Sequence, residues 1–379
     1  MESPRRRGSR QYGDAVPARE GIRRELLLFG WLAVVLTAST LLTRQRMIDW
    51  KFSVAGGHTL FSRRWAHLLA DNPNAQTGPL THALAWPIDH LGIGSAKAVI
   101  YLLGLTVLGL LVWAARGLPD VVPRLAVGGA AFAAWWPQIG SFGHLDDALV
   151  LVLTVLAVWA TLLGHQRRSG LLAGLALGAK PTAVFLLALT LPFRAWRTKD
   201  AWAPLLLAVV VALVVYGPFI AGADAGLAAL RPKVFVRPDA VLGLVVRHGT
   251  RPSSVFRTGQ LVAVLGASAW AMRRHGAAAV TWMGVSARLL LDPGAWAYYT
   301  VGFVLGALLW DLVVTRRRMP WATVVCALLL APPWLIADDT ARAWLRLVAC
   351  LGAIVVVAAT RPSERCDASI CLAVRDGNS

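Results

Sequence analysis

The chain has 379 residues, of which 57% are hydrophobic and 15% are charged. Its mean hydropathy of +0.58 exceeds what a soluble core of this length needs. Apolar blocks of about 17 to 22 residues recur along the chain, and each is long enough to cross a bilayer as a helix. Strands of a membrane barrel would alternate polar and apolar residues instead. The composition excludes a soluble enzyme and a barrel, and it predicts an all-α polytopic membrane protein.

The net charge is +18, from 38 Lys and Arg against 20 Asp and Glu. The basic residues lie between the apolar blocks, which indicates membrane topology and contact with anionic lipids. A nucleic-acid partner is not predicted, because no basic patch lies on a soluble domain. Of the four cysteines, Cys326 and Cys350 lie in apolar blocks and the other two in the polar tail, so neither a disulfide framework nor a metal site is predicted.

Residues 1–24 carry seven arginines and predict a disordered basic cytoplasmic tail. A polytopic membrane domain is expected over 25–360, followed by a second cytoplasmic tail over 361–379. With a re-entrant hairpin included, about 10 to 12 transmembrane helices are expected. The ten predicted spans cover residues 25–43, 95–115, 121–140, 145–164, 201–221, 259–272, 277–291, 296–314, 320–337 and 341–360.

The apolar stretch 169–193 is interrupted by Lys180 and Pro181, and basic residues flank it on both sides. Because both flanks belong in the cytoplasm by the positive-inside rule, we expect a hairpin that enters the membrane and returns. The alternative, one ordinary span, would invert everything downstream. Lys180 is expected to snorkel to the cytoplasmic side or to pair with a carbonyl there. Close helix packing is predicted at Gly170, Gly174 and Gly178.

Two long outer loops are predicted, over 44–94 and 222–258. The first begins with Asp49 at the membrane surface, which makes this carboxylate the leading catalytic candidate. The alternative is a solvated acid anchored by the interfacial Trp50. A polar turn further along contains Asn74 and Gln76, whose amides can hydrogen-bond sugar hydroxyls, although the same residue types also suit an ordinary turn.

His144, Asp146 and Asp147 open the span at 145–164 and face the same outer side. Ionisable groups at a membrane boundary are costly unless they face a cavity, so these residues are candidates for substrate binding. The alternative is a helix start at which carboxylates complement the backbone dipole. No Asp-x-Asp triplet is present, and no metal is predicted.

The loop 222–258 holds six cations against two acids, which reverses the positive-inside rule. A lipid phosphate or pyrophosphate on the outer face would explain this reversal, since arginine matches phosphate oxygens bidentately. General attraction to anionic lipids is the alternative. The predicted lipid-phosphate ligands are Arg231, Lys233, Arg237, Arg251, Arg257 and the later Arg288.

Arg288 lies one helical turn before Asp292, and an ion pair between them is predicted to face the cavity. Tyr298 and Tyr299 follow at the start of the next span. They are candidates for contact with substrate, and the alternative for such aromatic residues is an interfacial belt.

The order of these features resembles the GT-C superfamily of integral membrane glycosyltransferases. In this chain the order is one span, an outer loop opening with Asp49, the turn 72–79, the turn 143–147, the glycine-rich hairpin ending in Lys180 and Pro181, and the basic loop before Gln260. Within the superfamily the chain resembles bacterial polyprenyl-phosphate-mannose-dependent mannosyltransferases, over about residues 25–312. One departure is that Trp50, Lys51 and Phe52 follow Asp49 where small residues or tyrosine are more usual.

The resemblance implies transfer of a sugar, mannose being favoured, from a polyprenyl-phosphate donor to a lipid or glycan acceptor on the outer face of the bacterial plasma membrane. Asp49 occupies the position of the family's general base. One base without a second carboxylate nucleophile predicts inversion at the anomeric carbon, and the scheme requires no cofactor. Two other functions stay open: a lipid or small-molecule transporter or flippase, and a noncatalytic scaffold for cell-envelope assembly.

Overall fold

The computed structural model describes residues 18–71, 77–116, 118, 120–193, 196–221, 234–294, 297–315, 317–330 and 336–361. Every regular element within these ranges is helical, so the predicted all-α class is confirmed for the described chain. The α-helices are α1 Ala18–Leu42, α2 Trp50–Leu60, α3 Leu68–Asp71, α4 Pro79–His90, α5 Ile93–Ala114, α6 Val121–Arg124, α7 Ala130–Trp135, α8 Pro137–Phe142, α9 Leu145–Leu162, α10 Gln166–Ala179, α11 Ala203–Ala221, α12 Ser254–His275, α13 Ala277–Leu291, α14 Tyr299–Val313, α15 Trp321–Leu329 and α16 Asp339–Ala359.

Five helical segments are long and apolar enough to cross a membrane: Gly21–Leu42, Ile93–Ala114, Leu145–Leu162, Lys199–Ala221 and Asp339–Ala359. Other apolar helices, such as α13 and α14 with 15 residues each, are shorter than a typical span. The structure therefore describes a membrane-type helical protein. The larger predicted number of spans depends on counting these shorter helices as well.

The chain alternates between two ends of the helix bundle. At one end, Glu25 pairs with Arg116 across 2.5 Å, and His275 joins α12 to Val357 near the end of α16. We call this the tail end, because the described chain begins and finishes there. The opposite end carries residues 44–92 and 234–253, and we call it the loop end.

The predicted hairpin at 169–193 has the expected shape. Helix α10 rises to the loop end, the chain turns at Lys180, and a 3₁₀ helix, Pro181–Thr190, returns. The three glycines of α10 lie against α11: a Cβ on Gly170 would come within 2.2 Å of the Pro204 carbonyl oxygen, and one on Gly174 within 2.8 Å of the Ala208 carbonyl oxygen. The predicted close packing is confirmed, and it fixes the height of the hairpin tip.

The first outer loop differs from the prediction, because residues 44–94 contain helices α2, α3 and α4. Gly56 and Gly57 of α2 leave room for the side chains of His82 and Trp86 of α4. Helix α4 is packed into the bundle, with His82 only 1% exposed. Paired small residues allowed a close helix contact that the hydropathy pattern did not reveal.

Other boundaries differ where the backbone departs from a regular α-helix. The span predicted at 121–140 consists of α6, a π-helical turn Leu125–Gly129, α7 and α8. Helix α15 ends at Leu329, earlier than the predicted 337, and residues 331–335 lie outside the described chain. Most of the two predicted tails, namely residues 1–17 and 362–379, also lies outside it.

Burial divides the helices into inner and outer members. Helices α13 and α14 are buried over nearly their whole length. Helix α11 instead exposes large apolar side chains, among them Leu206, Leu213 and Val214. An exposed apolar face of this length is suited to contact with lipid tails, and it fits a membrane-embedded bundle.

Candidate functional site

Asp49 immediately precedes helix α2 and lies beside the turn that opens α9. Its backbone N–H donates to the Phe142 carbonyl at 2.8 Å, and the Met47 N–H donates to the Ser141 carbonyl at 2.9 Å. Gly143 adopts a φ of +80°, which lets the chain reverse direction before His144. The two hydrogen bonds and the turn at Gly143 place Asp49 next to His144.

His144 lies between two carboxylates. Its Nε2 is 3.0 Å from Asp49 Oδ2, and its Nδ1 is 3.1 Å from Asp146 Oδ1. Ionised carboxylates only accept hydrogen bonds, so an imidazole that serves both must carry a proton on each nitrogen. Burial lowers the pKa of His144, but Asp146 and Asp49 raise this pKa more, and the net shift is upward. His144 is therefore an imidazolium that joins Asp49 to Asp146.

Lys180 is the second cation of this cluster, and its position corrects the sequence prediction. Its ammonium Nζ lies 2.5 Å from Asp147 Oδ2 and 2.8 Å from Asp146 Oδ2, and the residue is 1% exposed. It hydrogen-bonds to Asp147, while the contact with Asp146 is an ion pair without hydrogen-bond geometry. A residue expected at the cytoplasmic side instead lies at the loop end, because it forms the tip of the hairpin.

Two tyrosines cover the ionic cluster. The ring of Tyr298 stacks on His144 with centroids 3.6 Å apart, and Lys180 Nζ lies 5.2 Å from the ring centroid of Tyr299. Both tyrosines are buried, so they are part of the site and do not form an interfacial belt. Aromatic faces of this kind stabilise nearby cations through their negative quadrupole.

Arg288 extends the site next to Tyr299. Its guanidinium carbon lies 3.9 Å from the Tyr299 ring centroid, and its Nε lies 3.4 Å from Asp292 Oδ2, which confirms the predicted pair. Arg257 approaches the same carboxylate, with Nη1 3.9 Å from Asp292 Oδ1. Nη2 of Arg288 is buried and has no hydrogen-bond partner among the described residues. A buried guanidinium donor without a partner is costly, and it provides a position for an acceptor oxygen.

The other predicted basic residues divide into three groups. Arg237 lies at the loop end and pairs with Asp239 at 3.1 Å, while its backbone N–H donates to the Pro293 carbonyl. Arg251 is exposed and does not join the cluster around Asp292. The sequence candidates Arg231, Lys233, Asn74 and Gln76 lie outside the described residues.

An open groove of about 580 Å³ lies at the loop end, and Ile48, next to Asp49 in the chain, is among the residues that line it. Its walls combine apolar side chains with Arg46, Lys51 and His58. Trp50 lines it as well and donates from Nε1 to Asp89 at 3.0 Å. Trp50 is 4% exposed, so it is not the interfacial anchor that the alternative reading of Asp49 required. Of the two carboxylate oxygens of Asp49, only Oδ2 has a hydrogen-bond partner among the described residues, and the side chain is 22% exposed.

His144, Asp146 and Asp147 offer ligand atoms within 4.8 Å of one another, which is a separation that a metal ion can bridge. The ammonium of Lys180 already lies against both carboxylates. A cation at this position would have to displace it, so the cluster as it stands is charge-balanced by protein side chains.

Sequence reasoning missed Lys180 as a site residue. A signal for it was present, because a lysine followed by proline in the middle of an apolar hairpin must lie at the tip, far from its basic flanks. The partnership of Lys180 with Asp146 and Asp147 could not be inferred, since it depends on the relative heights of α9 and α10.

Comparison with known proteins gives no assignment. No family model, no curated protein and no solved structure matches this chain.

Proposed function

We propose that this protein is a membrane glycosyltransferase that moves a sugar, mannose being favoured, from a polyprenyl-phosphate donor to a lipid or glycan acceptor. The observation that carries the proposal is the state of Asp49. Its carboxylate accepts from an imidazolium on one oxygen and is partly exposed, and its chain neighbours Ile48 and Trp50 line an open groove at the loop end. A partly exposed carboxylate of this kind is suited to act as a general base.

The chemistry of the transfer follows from this arrangement. The acceptor hydroxyl attacks the anomeric carbon while its proton passes to Asp49. The bond from that carbon to the donor phosphate oxygen breaks, and the polyprenyl phosphate leaves with the electron pair. A single displacement of this kind inverts the anomeric configuration. A positioned base would contribute about two to four decades of rate.

The leaving phosphate gains negative charge, and the loop end offers cations to stabilise it. Arg288 is the favoured ligand, because its Nη2 is buried without a partner in the described chain. Arg257 shares Asp292 with it and adds a second guanidinium. We expect these two arginines to bind the phosphate, next to the Tyr299 ring that Arg288 contacts.

The topology completes the proposal. With the tail end in the cytoplasm, both chain termini are cytoplasmic, the short helices count as crossings, and the loop end faces outward. Asp49 then meets a lipid-linked donor and a membrane acceptor at the outer surface of the plasma membrane. The resemblance to GT-C enzymes, given by the order of the sequence features, supports the same assignment.

The test is transfer by purified protein in nanodiscs, using labelled polyprenyl-phosphate mannose and a membrane-lipid acceptor extract. Wild type should release polyprenyl phosphate and label a lipid product. Asp49→Asn should lower turnover by about 100- to 10,000-fold without changing the melting temperature, because the amide keeps the shape but cannot take a proton. Asp71→Asn is the matched control, since Asp71 is a loop-end acid paired with the exposed Arg64.

The outcomes separate the proposal from its alternatives. Equal turnover in wild type and Asp49→Asn would remove Asp49 from the base role. No turnover with mannose, arabinose, glucose or galactose donors, despite folded protein, would overturn the transferase and favour a transporter or a scaffold.

A further inference from the structure

The hairpin tip carries a buried charge that the proposed reaction does not use directly. Lys180 is 1% exposed and is among the largest fully buried side chains of the described chain. Burying an ammonium is costly unless specific partners compensate it. Its partners Asp146 and Asp147 begin the helix that follows His144, so the Lys180 ammonium is linked to His144 through these carboxylates.

A continuous series of contacts leads from Lys180 to Asp49. The ammonium pairs with Asp146 at 2.8 Å, Asp146 accepts from His144 at 3.1 Å, and His144 donates to Asp49 at 3.0 Å. Each contact joins opposite charges, so the orientation of each group depends on the next. Without the ammonium, two buried carboxylates would repel each other beside the imidazolium.

A second connection runs through the backbone. The carbonyl of Ala179, next to the lysine, accepts from the Gly78 N–H at 2.7 Å and from the Thr81 hydroxyl at 3.1 Å. Both donors belong to the start of α4, which packs on α2 through Gly56 and Gly57. Because Asp49 directly precedes α2, the hairpin tip is connected to Asp49 both through side chains and through the backbone.

We propose that Lys180 is a positioning residue that holds His144, and through it Asp49, in the geometry required for proton transfer. This inference rests on the proposed function for its catalytic meaning. Lys180 does not touch the reacting atoms. It fixes the carboxylate pair that orients the imidazolium, and the hairpin tip places this ammonium at the loop end.

Other charged or titratable groups also face this cluster. The rings of Tyr298 and Tyr299 lie near Lys180, and the Arg288 guanidinium also lies against the Tyr299 ring. Tyr216 of α11 donates to the Leu177 carbonyl three residues before the tip.

The test uses Lys180→Met, the charge-balanced variant Lys180→Met with Asp147→Asn, and the control Lys97→Met at an exposed lysine of the loop end. We expect Lys180→Met to lower kcat by about 10- to 100-fold while the donor KM is unchanged, as for a displaced catalytic group. The acid limb of its pH–rate profile should move to higher pH, because loss of a cation favours protonation of nearby carboxylates. The double variant should recover most of both changes, and Lys97→Met should resemble wild type.

A second measurement does not depend on activity. In nitrogen-15 histidine spectra, with the His144 signals assigned by His144→Gln, Lys180→Met should shift the ring signals of His144 and Lys97→Met should not. Unchanged His144 signals and an unchanged acid limb in folded Lys180→Met would overturn the inference. If those signals respond while wild type transfers no sugar, the positioning network stands and the proposed transferase fails.

Discussion

Two buried charged clusters lie at opposite ends of this bundle, and they differ in how their charges are satisfied. At the tail end, the Arg124 guanidinium donates to the carbonyls of Asp311, Leu312 and Thr315 at 2.9 to 3.1 Å. At the loop end, the series from Lys180 to His144 finishes at Asp49, whose side chain is 22% exposed. The tail-end cluster is closed, because backbone carbonyls satisfy its guanidinium. The loop-end cluster is open, because it ends at one partly exposed carboxylate.

The tail-end cluster joins consecutive helices. Arg124 supplies donors to the last carbonyls of α14, which have no partners within that helix. Asp311 accepts from the Thr323 N–H and hydroxyl, both at 2.8 Å, and so caps the start of α15. Arg124, Asp311 and Thr323 are each 2% exposed or less. Burial of charge alone therefore does not indicate a functional site, and the accessible carboxylate of Asp49 is what makes the loop-end cluster a candidate.

The largest effect on stability is expected at the closed cluster. Arg124→Ala would remove the guanidinium donor from the Leu312 and Thr315 carbonyls, and it should lower the free energy of unfolding by about 3 kcal/mol. Unfolding in mixed detergent micelles measures this change. Arg116→Ala, which removes an exposed pair at the same end, should cost less than about 1 kcal/mol. Equal losses in the two variants would contradict the contrast between buried and exposed arginines.

A smaller effect is expected where the hairpin packs on α11. Gly174→Val would force a side chain into the Ala208 carbonyl and Val211, and overpacking of this kind costs about 1 to 3 kcal/mol. Because α10 sets the height of Lys180, turnover should fall as well. Gly266→Val is the control, since a Cβ there meets nothing within 4 Å. A Gly174→Val protein with wild-type turnover would separate the hairpin packing from the open cluster.

The smallest effect is expected at two glycine turns. It separates the cost of backbone strain from the effect of moving the site residues. Gly143 and Gly164 have φ of +80° and +77°, so alanine should cost about 1 to 2 kcal/mol at either position. A Cβ at Gly143 would also lie 3.0 Å from Trp50 Cβ, whereas Gly164 has open space. Gly143→Ala should therefore reduce turnover and Gly164→Ala should not, as measured by the transfer assay. Equal turnover in both variants would indicate that the turn before His144 tolerates movement.

The sequence predicted much of the helical scaffold but less of the site. Hydropathy located α5, α9 and α13 closely, because each is a continuous apolar block. It missed α2 and α4, whose packing depends on Gly56 and Gly57 meeting His82 and Trp86. Hydropathy measures transfer to an apolar phase and carries no information about which surfaces fit together.

The same distinction applies to charge. The Arg288 pair with Asp292 was predictable because the two residues lie one turn apart on or beside a single helix. The pairing of Lys180 with Asp147 joins residues 33 positions apart, and it requires the hairpin tip and the start of α9 to reach the same height. Local spacing determines the first contact, and tertiary geometry determines the second.

The two arms of the hairpin have unequal numbers of residues and nearly equal lengths. Helix α10 has 14 residues, or about 21 Å at an α-helical rise. The 3₁₀ helix after Lys180 has only 10 residues, yet at about 2 Å per residue it covers about 20 Å. Wound as an α-helix, those residues would cover about 15 Å and stop well short of the tail end. The tighter winding thus lets a short segment return to the tail-end surface, so the hairpin needs no extra residues to keep Lys180 at its far end.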